Sequence, residues 1–259
     1  MKYIKYKTSE DEVHVGIVED NVIYCLDYTC IIESIRNEHN FKDNYTSNKS
    51  VNLEDVTILP PTNPSKIICV GLNYKDHAGE LDMELPTEPL LFMKPSTSII
   101  ATQQTINYPK ITRKLDFEGE LGIVILDKID SGQFNENIQL GYTIINDVTA
   151  RDLQESDGQW TRSKSFDTFC PYGPVVVTNI DSSNLNIKSE VNGNIKQNSN
   201  TRNMIFSSLD LVKYISNIMT LNPGDIIATG TPPGIDHLQK NDKVTITIEK
   251  IGKLQNIVK

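Results

Sequence analysis

The chain is built from short apolar runs separated by polar breaks, and few stretches repeat at helical spacing. Within residues 3–28, "YIKYKT", "HVGIV" and "VIYCLDY" read as strands, with the polar turn "EDN" between the last two. "CIIESIRNEHNF" sets Ile31, Ile32 and Ile35 at the spacing of a short helix. The polar run "KDNYTSNKSVNLED" has no strong period and reads as a connector, and "ILPPTNPSK" is a strong break. A boundary is therefore expected near Val56–Pro64. It would divide a small N-terminal α+β domain, residues 1–58, from a main domain, residues 59–259.

Beyond Lys66 strand follows strand: "KIICVGLNY", "LLFMK", "ELGIVIL", "GYTIIND", "GPVVVT", "NLNIKSEV", "DIIATG" and "KVTITIEKIGKL". In "EVNGNIK", Asn192-Gly193 is a dipeptide that accepts positive φ at both centres of a two-residue hairpin. The clearest helix is "SSLDLVKYISNIM", with Leu211, Val212, Ile215, Ile218 and Met219 on one face. Ser207 or Ser208 would cap it and Asn222-Pro223-Gly224 would end it. Regular β–α alternation is missing, which argues against a parallel barrel. The fold class is mixed, β-rich α+β.

Composition narrows the picture. Of 259 residues, 38% are hydrophobic and 23% charged, as in a folded globular chain and unlike a disordered one. The runs "LGIVIL" and "GPVVV" are far too short to span a bilayer, so no membrane partner is expected. "MKYIKYKTSED" alternates in the manner of a strand and lacks the apolar core of a signal peptide, which points to the cytoplasm. A net charge of −9 argues against nucleic acid, and no basic cluster exceeds "ITRKL". The four cysteines form no C-x-x-C pair and are expected to be reduced and structural.

Candidate chemistry begins with "LDFEGELGIVIL", residues 115–126. Alternate side chains of a strand share a face, so Asp116, Glu118 and Glu120 project together. Adjacent members of that row sit about 6.8 Å apart along the chain. At an effective dielectric near 20 they repel by about 2.4 kcal/mol. Two readings follow with equal force: the acids converge on a divalent cation, or they form a solvated edge paired with Arg113 and Lys114. Asp147 stands where "GYTIIND" gives way to "VTARDLQE", with Arg151 and Gln154 four and seven residues on. On one helix these three would share a face, suited either to a carboxylate substrate or to a surface ion pair, and Asp147 could equally be an N-cap.

The ordered segments "VGLNYKDHAGEL", "LLFMKPSTSI", "LDFEGELGIVI", "GYTIINDVTARDLQ", "KSFDTFCPYGPVV", "LNPGDIIATGTPPG" and "IGKLQNIV" resemble the fumarylacetoacetate hydrolase family, in its acylpyruvase and 2-hydroxyhepta-2,4-diene-1,7-dioate isomerase-like branch. The resemblance implies a β-sheet roll as catalytic domain and a homodimer. It also implies Mg²⁺, Mn²⁺ or Ca²⁺ held by Glu118, Glu120 and Asp147, which resolves the balance above toward metal. His77 and Glu80 of "HAGE" match a water-activating dyad, in which the carboxylate fixes the imidazole tautomer. Taken alone, a His-x-x-Glu pair is usually an incidental surface pair. Lys164 matches a lysine beside the metal and substrate oxygens, and Thr168 a nearby threonine. Thr231, Arg151 and Gln154 match substrate-facing positions, and Lys94 of "FMKP" belongs to a shared motif without an assigned role.

One departure is "PPGIDHLQKND" where relatives continue with a Gly-x-Gly run; it brings Asp236 and His237 toward the pocket mouth. The implied reaction is metal-assisted carbon–carbon hydrolysis of an acylpyruvate or related β-diketo acid, a small 2-oxo acid. Oxaloacetate decarboxylation or tautomerisation and hydroxydienedioate isomerisation are the alternatives. A metal-stabilised binding protein without turnover is the alternative of another class.

Overall fold

The computed structural model describes residues 1–37, 49–80 and 84–259, with the side chains of His77, Ala78 and Glu80 outside the described residues. Strands dominate, as the alternation predicts. The largest unit is a 12-stranded sheet. Its hydrogen-bonded order runs Ser50–Asn52, Val22–Leu26, Val13–Glu19, Lys2–Lys7, Cys170–Val177, Leu140–Asn146, Gly119–Ile125, Ile226–Ala228, Ile67–Gly71 and Leu90–Lys94. Thr57–Ile58 pairs with Lys2–Lys7, and Ile99–Ile100 with Cys170–Val177.

The two strands at the centre are covered on both faces, and every residue of Gly119–Ile125 and Leu140–Asn146 is buried. This explains their continuous apolar runs. They pair antiparallel in unbroken register from Gly119↔Asn146 to Ile125↔Leu140. That register has a chemical consequence. It sets the residues just before one strand beside those just after the other, and Asp147 N donates to Glu118 O at 2.9 Å.

The N-terminal strands extend the same sheet through Lys2↔Val177 and its neighbours. At the expected boundary, Leu59 N donates to Lys5 O at 2.9 Å. Of the segment expected to form the first helix, Ile31–Arg36 is helical, and its residues 38–41 lie outside the described residues.

A five-stranded sheet, Asn194–Asn200, Asn186–Val191, Lys243–Ile248, Gly252–Val258 and Thr105–Ile106, packs against the large one. Leu121, Ile144 and Val70 from one sheet share a buried cluster with Ile187, Ile246 and Leu254 from the other, and with Leu211 and Ile215 of the helix Ser208–Ile218. The hairpin turn lies where the sequence sets it, with Asn192 at φ 53° and Gly193 at φ 81°. "KVTITIEKIGKL" is two strands, Lys243–Ile248 and Gly252–Val258, and Lys250 turns the chain at φ 65°. Its apolar alternation continues through the turn and hides it.

Helix Ser208–Ile218 starts with a capping box between Ser207 and Asp210. It stops at Met219, before Asn222-Pro223-Gly224, and Ile218 is exposed instead of joining the buried face. All four cysteines are free. Among the described residues no helix is long and apolar enough to cross a membrane.

Candidate metal-binding active site

Glu118, Glu120 and Asp147 converge: each offers a carboxylate oxygen, and these atoms all lie within 4.8 Å of one another. All three residues are buried. Of the two readings of the acidic strand, the solvated edge is thus set aside. Lys114 reaches out to Glu155 instead, 3.9 Å away on the surface. The arrangement follows from the central register, which aligns the Glu-x-Glu segment with the end of the neighbouring strand. Gly119 between the two glutamates has no room for a side chain, because a Cβ there would strike Ser189 Oγ and Gln197 Oε1. Gly230 sits at φ 95° and turns its N–H onto Glu120 Oε2 at 2.8 Å. Few residues other than glycine accept that backbone.

Cations interleave with the acids. Lys164 Nζ donates to Glu118 Oε2 at 2.9 Å and to Asp147 Oδ2 at 2.6 Å. Lys94 Nζ bonds the other oxygen of Asp147 and also Val148 O at 3.0 Å. Arg151 gives Nη2 to Glu118, Nη1 to Gln154 and Nε to Asp116 Oδ2, the last at 2.8 Å.

The two glutamates are treated differently as a result. Burial disfavours the charged form of Glu118, but Lys164 and Arg151 outweigh it and hold that carboxyl well below the usual range. Glu120 has only a backbone N–H, so burial and then the charges of Asp147 and Glu118 push it well above the usual range. For Lys164, burial opposes the charge, yet Asp147 and Glu118 prevail and raise its pKa.

A buried trio of hard oxygen donors with one acid lacking a counter-charge fits a divalent cation. Close by, the buried Tyr74 hydroxyl has no hydrogen-bond partner among the described residues, and the Asn146 Nδ2 next to Asp147 has none either.

The structure brings together Glu118, Glu120, Asp147, Lys164, Arg151 and Gln154. Asp147 caps no helix: strand Thr149–Ala150 intervenes and the helix is Arg151–Asp157, so Asp147 does not share its face with Arg151 and Gln154. Those two do meet, three residues apart on one turn. Thr231 lies beside the trio, donating to Gly119 O at 2.9 Å and accepting from Gln197 Nε2 at 2.7 Å. Thr168 is apart from it; its hydroxyl accepts the Asn107 N–H at 2.9 Å. His77 and Glu80 belong to the helix Lys75–Glu80, but their side chains lie outside the described residues. The preceding Asn73 ties that helix to the Gly230 loop through a 2.7 Å bond to Thr229 O.

Three participants have no role assigned to them from the sequence. Lys94 is a buried partner of Asp147, and the signal was a lysine closing the apolar strand "LLFMK". Asp116 is buried against Arg151 and His237, one contact removed from Glu118. Gln197, on a polar strand of no evident importance, links Ser189, Gly119 and Thr231.

The family model for fumarylacetoacetate (FAA) hydrolase, C-terminal, matches residues 66–259. An uncharacterized protein of Methanocaldococcus jannaschii is 58% identical over 199 residues, covering 76% of this chain and 84% of its own. A mitochondrial oxaloacetate tautomerase of Rattus norvegicus is 42% identical over 217 residues, 78% of this chain and 69% of its own. The crystal structure of 2-hydroxyhepta-2,4-diene-1,7-dioate isomerase from Mycobacterium marinum superposes with a TM-score of 0.85 at 40% identity, covering 100% of this chain and 98% of the other. Maleylpyruvate hydrolase from Sphingobium sp. SYK-6, solved with manganese (II) ion and pyruvate, gives 0.83 at 26% identity, with coverage of 100% and 98%.

Proposed function

Because the chain belongs to the fumarylacetoacetate hydrolase family, we propose that it is a divalent-cation-dependent enzyme that hydrolyses a carbon–carbon bond in an acylpyruvate or related β-diketo acid. The observation that carries this reading is the buried convergence of Glu118, Glu120 and Asp147 with Lys164 bonded to two of them. Those three acids would hold Mg²⁺, Mn²⁺ or Ca²⁺, which supplies Lewis-acid polarisation of the 2-oxo-carboxylate end of the substrate. Lys164 offers its ammonium to the oxygen that gains charge as the bond breaks, and that stabilisation accounts for most of the rate. Gln154, Arg151 and Thr231 orient the substrate around it.

His77, its tautomer set by Glu80, takes a proton from water, and the water attacks the distal carbonyl. The resulting tetrahedral oxyanion collapses, the carbon–carbon bond breaks, and a pyruvate enolate departs to be protonated. The chain is proposed to act in the cytoplasm as a homodimer of a small N-terminal domain, 1–58, and a catalytic domain, 59–259.

A second reading is tautomerisation of oxaloacetate, favoured by the 42% identity to the rat tautomerase. It uses the same acids and Lys164 but needs no attacking water. A panel of acetylpyruvate, fumarylpyruvate and oxaloacetate with Mg²⁺ or Mn²⁺ separates the two. Hydrolysis is expected, and His77→Ala should slow it sharply while leaving cation affinity in place. Enol–keto exchange of oxaloacetate without any acylpyruvate cleavage would select the tautomerase, and a silent panel would reject both.

A further inference from the structure

A row of charged contacts leads outward from the acid trio. Lys164 joins Asp147 to Glu118, Arg151 joins Glu118 to Asp116, and the second oxygen of Asp116 meets Nδ1 of His237. Side-chain exposure along it is 0% at Asp147, 20% at Arg151, 4% at Asp116 and 49% at His237. The row therefore reaches solvent at His237. That ring is fixed in place. Strand His237–Leu238 pairs with Leu115–Asp116 through Asp116↔His237, and the buried Leu238 anchors it. Asp116, already accepting Arg151 Nε, also accepts the ring's Nδ1–H, and Nε2 has no hydrogen-bond partner among the described residues.

Charge counting shows what that nitrogen would receive. Among the described side chains, four buried acids, Asp116, Glu118, Glu120 and Asp147, each carry a negative charge once a cation has displaced the Glu120 proton, against three buried or half-buried cations, Lys94, Lys164 and Arg151, a balance of one negative charge before the metal is counted. A divalent cation reverses this to one positive charge, which the carboxylate of a monoacid cancels. A diacid brings one more negative charge, and His237 is the side chain at the open end of the row whose Nε2 is placed to meet it. Asp236 beside it does not repel such a ligand strongly, since Lys196 holds it at 2.6 Å.

We infer that His237 is a specificity-determining residue whose Nε2 receives a second carboxylate at the substrate end remote from the trio, so that the chain prefers diacids. This rests on the trio binding the 2-oxo-acid end, as proposed above.

The test uses the full chain with Mg²⁺ and two substrates of equal reach, fumarylpyruvate and its ester methylated on the distal carboxyl. In His237→Ala the ratio of kcat/KM for diacid over ester should fall about tenfold, mostly through KM, the effect of one charge-assisted hydrogen bond. His237→Asn keeps an N–H for Asp116 but has no atom at the Nε2 position, so it should lose the ratio as well. A wild-type ratio in the Asn variant means that His237 acts only on Asp116 and overturns the contact; a wild-type ratio in the Ala variant does so too. If neither compound is turned over, the same ratio is read from dissociation constants. Calorimetry with oxalate probes the inner end alone. Failure of oxalate to bind the Mg²⁺-loaded protein defeats the proposed function, whereas oxalate binding with an unmoved ratio defeats the role of His237.

Discussion

At the scale of single residues the candidate site is a problem of compensation. Asp147 is buried with an ammonium on each oxygen, and Glu120 is buried with none. Lys94→Met would leave one Asp147 oxygen without its cation, and breaking a buried pair costs about 3–5 kcal/mol. Denaturation in EDTA should show a loss of that order, and saturating Mg²⁺ should recover part of it; identical losses in both would mean that no cation reaches Asp147.

Glu120 leads to a pH dependence of definite sign. Its folded-state carboxyl is raised, so the stability it contributes is present below the ordinary carboxylate range and is lost as pH rises through the raised value. The thermal midpoint in EDTA should thus fall with rising pH through this group. The gain on adding Mg²⁺ should grow over the same interval, because the cation replaces the proton. Glu120→Gln is the reference that removes the effect. Equal Mg²⁺ gains at pH 5 and pH 8 would count against the site. Glu118→Gln and Asp147→Asn should each abolish metal-dependent activity, and full activity without added metal in either would refute the assignment.

Among the elements, the pair Gly119–Ile125 and Leu140–Asn146 matters most, since its register alone brings the Glu-x-Glu segment to Asp147. Gly119→Ala presses a methyl onto Ser189 and Gln197, and overpacking of this kind costs about 1–3 kcal/mol. It should weaken Mg²⁺ binding as well, by displacing the strand that carries two of the ligands. Ser207→Ala is the contrasting case. It removes the cap of Ser208–Ile218, far along the chain from the ligands, and should cost about 1 kcal/mol with Mg²⁺ affinity unchanged. Calorimetric titration of both variants checks the pair of outcomes.

For the molecule as a whole, the large sheet ends at Leu90–Lys94, where Leu90 is 53% and Met93 47% exposed. An open edge with exposed apolar side chains invites pairing, and the proposed homodimer needs a self-complementary face. Met93→Glu should shift the chain toward a 29.1 kDa monomer in sedimentation. A wild-type chain that already sediments at that mass would dispose of the dimer.

Local pattern carried much of this protein into view. Strand positions follow from period-two alternation and continuous apolar runs, the Asn192-Gly193 hairpin from its tolerance of positive φ, and the start of Ser208–Ile218 from its capping chemistry. Glu118 and Glu120 were legible as a pair, because alternate residues of a strand share a face, and Asp147 joined them only through the family resemblance. Whether those acids met a cation or water was not legible, since convergence depends on the register of a partner strand about twenty residues away. The same holds for Lys94 on Asp147, for Gln197 beneath Thr231, and for His237 on Asp116 across more than a hundred residues. Contacts at that separation leave no trace in local spacing, because only the packed sheet brings their side chains within hydrogen-bonding reach.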